Sequence, residues 1–116
     1  MLAKPHRLKK KKDIQGVFSQ GVHAREGAIL VKFCVSKEPG PRFGIVVSKK
    51  VSRSAVKRNR IRRVISEFLR LTLSGFPQKK DVVVIVLPGK NIAQYNAKEI
   101  RESVLSALQK TSLLNL

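Results

Sequence analysis

From Ser48 to Arg70 the chain reads SKKVSRSAVKRNRIRRVISEFLR, nine Lys or Arg against one acid, Glu67, in 23 residues. A basic run without apolar period is a solvated tail; this one carries a period. At 100° per residue, Ile61, Val64, Ile65, Phe68 and Leu71 fall within a stripe about 120° wide. Arg62, Ser66, Asn59, Arg70 and Arg63 fill the opposite arc, with Arg58 and Arg60 on its shoulders. Ser54 or Ser52 supplies a cap. The stretch is therefore a helix that buries one face and offers guanidinium groups on the other. Arg58 and Arg62 are like charges at i, i+4, which cost roughly a few tenths of a kcal/mol, a repulsion that a bound polyanion relieves.

A one-sided helix needs a partner layer, and the flanking sequence supplies strands. Asp81 to Leu87 (DVVVIVL) is β-branched and apolar throughout, which predicts a central strand covered on both faces. Ala28 to Val35 (AILVKFCV) alternates, with Ile29, Val31, Phe33 and Val35 on one face and Leu30, Lys32 and Cys34 on the other. Lys32 thus points away from the main core. Glu38-Pro39-Gly40-Pro41 turns the chain into a further strand, Arg42 to Val47, expected antiparallel to the preceding one. Asp13 opens a short helix with Ile14, Val17 and Phe18 at i, i+3, i+4, closed by Gly21. Asn96 and Glu99 have capping-box spacing ahead of a last helix through Ile100, Val104 and Leu108 to about Gln109. The order is α-β-β-α-β-α with room for a further short strand: an α+β chain, a single-domain α-β sandwich over 1–116. Residues 1–12, with six Lys or Arg and no acid, are expected to form a flexible basic arm.

Composition bounds the partners. The 116 residues suffice for one domain, and 25 Lys or Arg against seven Asp or Glu give +18. Self-repulsion at that charge calls for a neutralising partner: nucleic acid first, an anionic membrane surface or an acidic protein behind it. The longest apolar run, Val82 to Leu87, is far short of the roughly 20 residues of a membrane span. No secretory h-region is visible, and one cysteine, Cys34, cannot close an internal disulfide, which fits a reducing compartment, cytoplasmic or nuclear. Cys34 reads as a small buried hydrophobe. No phosphate loop, metalloprotease motif or paired cysteines occur. His6 and His23 lack partners at ligand spacing, and the acids are scattered, so no metal site and no catalytic group is expected in the protein. The absence of a helix-turn-helix, zinc finger or zipper argues against a DNA module.

Arginine forks grip phosphate bidentately and stack on bases, which suits RNA. Val47-Ser48-Lys49-Lys50 followed by Ala55-Val56-Lys57-Arg58-Asn59-Arg60-Ile61-Arg62-Arg63 resembles the signature of the bacterial ribonuclease P protein subunit. The likeness runs from His6-Arg7-Leu8 to about Leu108 and includes Val17-Phe18, Phe43-Gly44 and Asp81 to Val84. The resemblance implies a fold like ribosomal protein S5 domain 2, with a left-handed β-α-β crossover around the basic helix, an exception to the usual hand. It implies a non-catalytic component of an endoribonuclease that removes the 5′ leader of precursor tRNA. The catalytic RNA does the chemistry and holds the Mg2+; the protein binds no cofactor itself. The implied partners are ribonuclease P RNA and precursor tRNA, with no membrane and no obligate protein partner. Carried over by position, Lys49, Lys50, Arg53, Lys57, Arg58, Asn59, Arg60, Arg62 and Arg63 face the catalytic RNA. Ile14, Phe18 and Lys32 fall in the cleft that takes the single-stranded leader, where ring stacking and positive charge give sequence-tolerant binding. The chain departs from the family at Ile14, often Phe; at Lys32, often aromatic; and at Leu87, often basic. A ribosomal or other structural RNA-binding protein with the same fold is the competing reading.

Overall fold

The computed structural model describes residues 2–20, 22–77, 79–89 and 91–111. Its helices are α1 (Lys11–Gln20), α2 (Ala55–Leu71) and α3 (Ala97–Lys110), and its strands β1 (Val22–Glu26), β2 (Ile29–Val35), β3 (Arg42–Val47) and β4 (Lys80–Val86). The strands form one sheet in the order β1-β2-β4-β3. β2 runs antiparallel to both β1 and β4, whereas β3 and β4 are parallel neighbours joined through α2. β3 does oppose β2 in direction, as the sequence predicts, but β4 lies between them.

β4 holds the centre because Val82 to Val86 can be covered on either side. Val82, Val84 and Val86 enter the main core with Ile29 and Val31 of β2, under α2 and α3. Val83 and Ile85 enter a second, smaller core with Leu8 and Val17, under α1. Each fully buried Val or Ile contributes about 1.5 to 3 kcal/mol of transfer free energy. β1 is the short strand for which the sequence left room. Its VHARE sequence is mostly polar and occupies an edge, where one side of the ladder meets solvent. Gly27, at φ +56°, makes the tight turn into β2 in a region that favours glycine.

The opposite edge corrects the expected free arm over 1–12. Leu2 is buried in the main core and Leu8 in the second. Between them Arg7 bridges Phe43 in parallel, and the Leu8 N–H donates to the Phe43 carbonyl at 2.8 Å. Residues 2–8 therefore wrap the free edge of β3 from one face of the sheet to the other. Gly44 permits this approach, since a Cβ there would lie 3.3 Å from the Leu8 carbonyl oxygen. α1 then starts at Lys11, two residues before the predicted Asp13. Gly21, predicted to close α1, lies outside the described residues.

The phase of α2 also differs from expectation. Ile61, Ile65, Phe68 and Leu69 are buried, but Leu71 is 67% exposed. Ser66, assigned to the polar arc, is buried and accepts the Leu2 N–H at 3.4 Å. The N-terminal segment covers that flank of the helix, so the buried face is rotated towards it. α3 starts as predicted: Asn96 accepts from the Glu99 N–H at 2.8 Å, and Glu99 accepts from the Asn96 N–H at 3.0 Å.

Candidate RNA interface

Three serines shape the loop between β3 and the arginine helix. Ser48 Oγ accepts from the Lys50 N–H, Ser52 Oγ from the Ser54 N–H, and Ser54 Oγ caps α2 through the Lys57 N–H at 3.3 Å. Small hydroxyl side chains satisfy backbone donors locally, so a loop dense in like charge still has a fixed course. Lys49, Lys50 and Arg53 are exposed along it, and Lys57, Asn59 and Arg63 are exposed on the first turns of α2.

The arginines divide into two groups. The Arg58 guanidinium donates back to the Ser52 carbonyl at 2.6 Å, and Arg62 Nη1 donates to Asn59 Oδ1 at 2.7 Å. Arg58, Asn59 and Arg62 thus form one fixed tract with donors left over. Arg60 turns the other way and donates to the Tyr95 carbonyl at 2.6 Å, strapping α2 to the 3-10 turn before α3. On that side Arg60 and Arg63, with Arg101 of α3, line a groove of about 550 Å3. Sequence reasoning missed Arg101, because helical angles within α2 say nothing about the next helix. Towards its end α2 carries the Glu67–Arg70 pair, in which the Arg70 guanidinium holds the Glu67 carboxyl down at about 2. The one acid of the helix is therefore already matched.

The leader-cleft candidates lie on the other face of the sheet. Phe18 is 40% exposed at the open end of α1. Lys32 Nζ stands 4.9 Å from the centroid of the Phe18 ring, a cation–π contact between two residues predicted to share a site. Ile14 is partly buried against the second core, so it packs α1 down rather than offering a free surface. Leu87 also packs against that core.

An ion-pair network that the sequence did not reveal anchors α1. Arg42 of β3 makes a bidentate pair with the buried Asp81 of β4, both bonds at 2.8 Å. Its remaining nitrogen reaches Asp13 of α1 at 3.5 Å. The Asp81 carboxylate holds the Arg42 guanidinium charged, raising its pKa. The only sequence signal was a charge opening an otherwise apolar strand. Cys34 pairs in register with Asp81, and burial, then the nearby carboxylate, pushes its thiol pKa up. A thiol so placed is a poor nucleophile, although Cys34 is half-buried rather than the buried hydrophobe expected from the sequence.

Among the described residues, no three His, Cys, Asp or Glu side chains are grouped so as to hold a metal ion. No helix among them is long and apolar enough to cross a membrane. Fold and site together define a class: a small, strongly basic α+β protein with arginines arrayed on α2 and a ring beside an ammonium on the other face of the sheet. The particular family follows from comparison: the Ribonuclease P family model matches residues 2–112, and the chain belongs to that family. A Synechococcus ribonuclease P protein component is 35% identical over 98% of this chain and 87% of its own length. Its counterpart from a Geobacillus strain is 35% identical over 97% and 96%. The solved Staphylococcus aureus RNase P protein superposes with a TM-score of 0.85 at 31% identity, covering 95% of this chain and 98% of that one.

Proposed function

We infer that this chain is the protein subunit of a ribonuclease P ribonucleoprotein. It binds the catalytic RNA through Lys49, Lys50, Arg53, Lys57, Arg58, Asn59, Arg60, Arg62 and Arg63. It takes the 5′ leader of precursor tRNA at Phe18 and Lys32, with Ile14 supporting them. The observation that carries the reading is the Arg58–Asn59–Arg62 tract, preorganised at the start of α2 in a chain whose family is shown over 2–112.

The RNA performs the hydrolysis and holds the magnesium ions. The protein supplies position and charge. Guanidinium and ammonium groups on α2 neutralise phosphates of the folded RNA, and this association is salt-dependent. On the other face, the Phe18 ring offers a stacking platform and Lys32 a phosphate contact, a combination indifferent to base identity. Bringing the leader against a cationic surface reduces its repulsion from the RNA, so less free magnesium is needed for productive substrate binding. The subunit works in the cytoplasm, where transfer RNA is processed and a free Cys34 persists.

Cleavage of precursor tRNA by the cognate ribonuclease P RNA, at low magnesium with and without this protein, is the test. The protein should raise the rate of leader removal. No enhancement with the cognate RNA would leave the chain as a structural RNA-binding protein of the same fold.

A further inference from the structure

The wrap of residues 2–8 around the β3 edge leaves a cleft of about 200 Å3 between that segment, β3 and α2. Leu2, Phe43 and Ile45 make its floor, while Lys9, Arg62 and Arg63 stand at its rim. A bare phosphate does not suit such a floor, because an oxyanion needs donors on the surface it touches. An extended apolar ligand does not suit it either, since sites for drug-sized ligands run to roughly 300–1,000 Å3. A single flat ring system flanked by phosphates matches both the apolar floor and the cationic rim.

The walls are held in place. The Arg7 side chain donates to the Leu2 carbonyl at 2.6 Å, and Phe43 meets Phe76 edge-on with ring centroids 4.8 Å apart. Ser66 Oγ accepts the Leu2 N–H, which leaves its O–H able to bond the edge of a base. Arg62 uses one nitrogen on Asn59 and keeps others for phosphate. Arg63 is exposed and makes no ion pair among the described residues.

We propose that this cleft receives one unstacked nucleobase of the RNA that lies over α2, its flanking phosphates held by Lys9, Arg62 and Arg63. The proposal rests on the reading that α2 faces the catalytic RNA. It adds a readout of RNA shape to a surface that phosphate contacts alone would leave indifferent to which nucleotides are splayed out.

The isolated, 15N-labelled full chain can be titrated with AMP, ribose 5-phosphate or inorganic phosphate at equal concentration and ionic strength. All three should shift the amides of Arg62 and Arg63, but only AMP should shift Leu2, Ile45 and Ser66. Identical shifts from all three probes would overturn the proposal. Ile45→Trp fills the cleft and, once its melting curve shows it folded, gives a second measure. It should weaken binding to the cognate ribonuclease P RNA roughly five- to 150-fold, the range set by loss of one stacked base. Its log–log salt slope should not change, because no phosphate contact is removed. Unaltered affinity would also overturn the proposal. If instead Arg58→Ala and Arg62→Ala leave RNA binding untouched, the reading of α2 fails, while the nucleotide titration still decides what the cleft accepts.

Discussion

The two faces of the sheet present different groups, an array of arginines on α2 and a ring beside an ammonium by α1. Under α2 lies the main core, and the arginines above it are tied down, Arg58 to Ser52, Arg60 to Tyr95 and Arg62 to Asn59. Under α1 lies a small core of Leu8, Val17, Val83 and Ile85, and the groups above it, Phe18 and Lys32, hold chiefly one another. A rigid array of forks suits an RNA that is itself folded, because ordering has been completed before binding. A ring on α1 beside an ammonium on β2 suits a single strand whose sequence varies from substrate to substrate. The fixed forks and the stacking ring thus lie on opposite sides of β4.

Core truncations should separate the faces most strongly. Ile65→Ala should cost about 2–5 kcal/mol, measured by urea denaturation, because it empties the packing beneath the arginine helix. Val17→Ala removes less volume from the smaller core and should cost about 1–2 kcal/mol. Equal losses would mean that the two cores are one cooperative unit. Arg42→Met is next: it leaves the buried Asp81 carboxylate without its bidentate partner and removes the ion pair to Asp13 of α1. A stability loss of about 3 kcal/mol is expected, together with weaker binding of leader-bearing precursor tRNA. A loss below about 1 kcal/mol would show that Arg42 does not anchor α1. Phe18→Ala should have the smallest effect on folding, since the ring is half exposed. It should weaken binding of leader-bearing substrate by about 1–3 kcal/mol, the value of one stacked base, and leave leaderless substrate unaffected. Equal loss for both would make Phe18 a packing residue only.

How much of this was legible beforehand differs between the same two faces. The central strand followed from Asp81 to Leu87, because an unbroken β-branched run has no other comfortable place. The cap and capping box followed from spacing alone. The flank of α2 did not. Ser66 looks polar by angle, and it is buried because Leu2, 64 residues away, folds over it. Residues 1–12 looked like a tail because Lys9 to Lys12 dominate their composition, yet the two leucines that bracket Arg7 fix their course. Arg42, Asp13 and Asp81 lie far apart in sequence, and only the parallel pairing of β3 with β4 brings two of them side by side. The candidate contact set on α2 was a sequence motif and so readable. Arg60's turn towards Tyr95 was not, since the direction of a long side chain depends on a carbonyl in another element.

The central claim is that α2 binds the catalytic RNA by phosphate contact while the α1 cleft takes no part in that step. The most direct measurement is the salt dependence of affinity for the cognate ribonuclease P RNA. It is compared among the unaltered protein, the Arg58→Ala, Arg62→Ala double variant and Phe18→Ala. Two lost phosphate contacts should reduce the log–log slope by roughly 1.4–1.8 in the double variant, with Phe18→Ala leaving the slope as it was. An unchanged slope in the double variant, or an equal reduction in Phe18→Ala, would contradict the division of labour between the two faces.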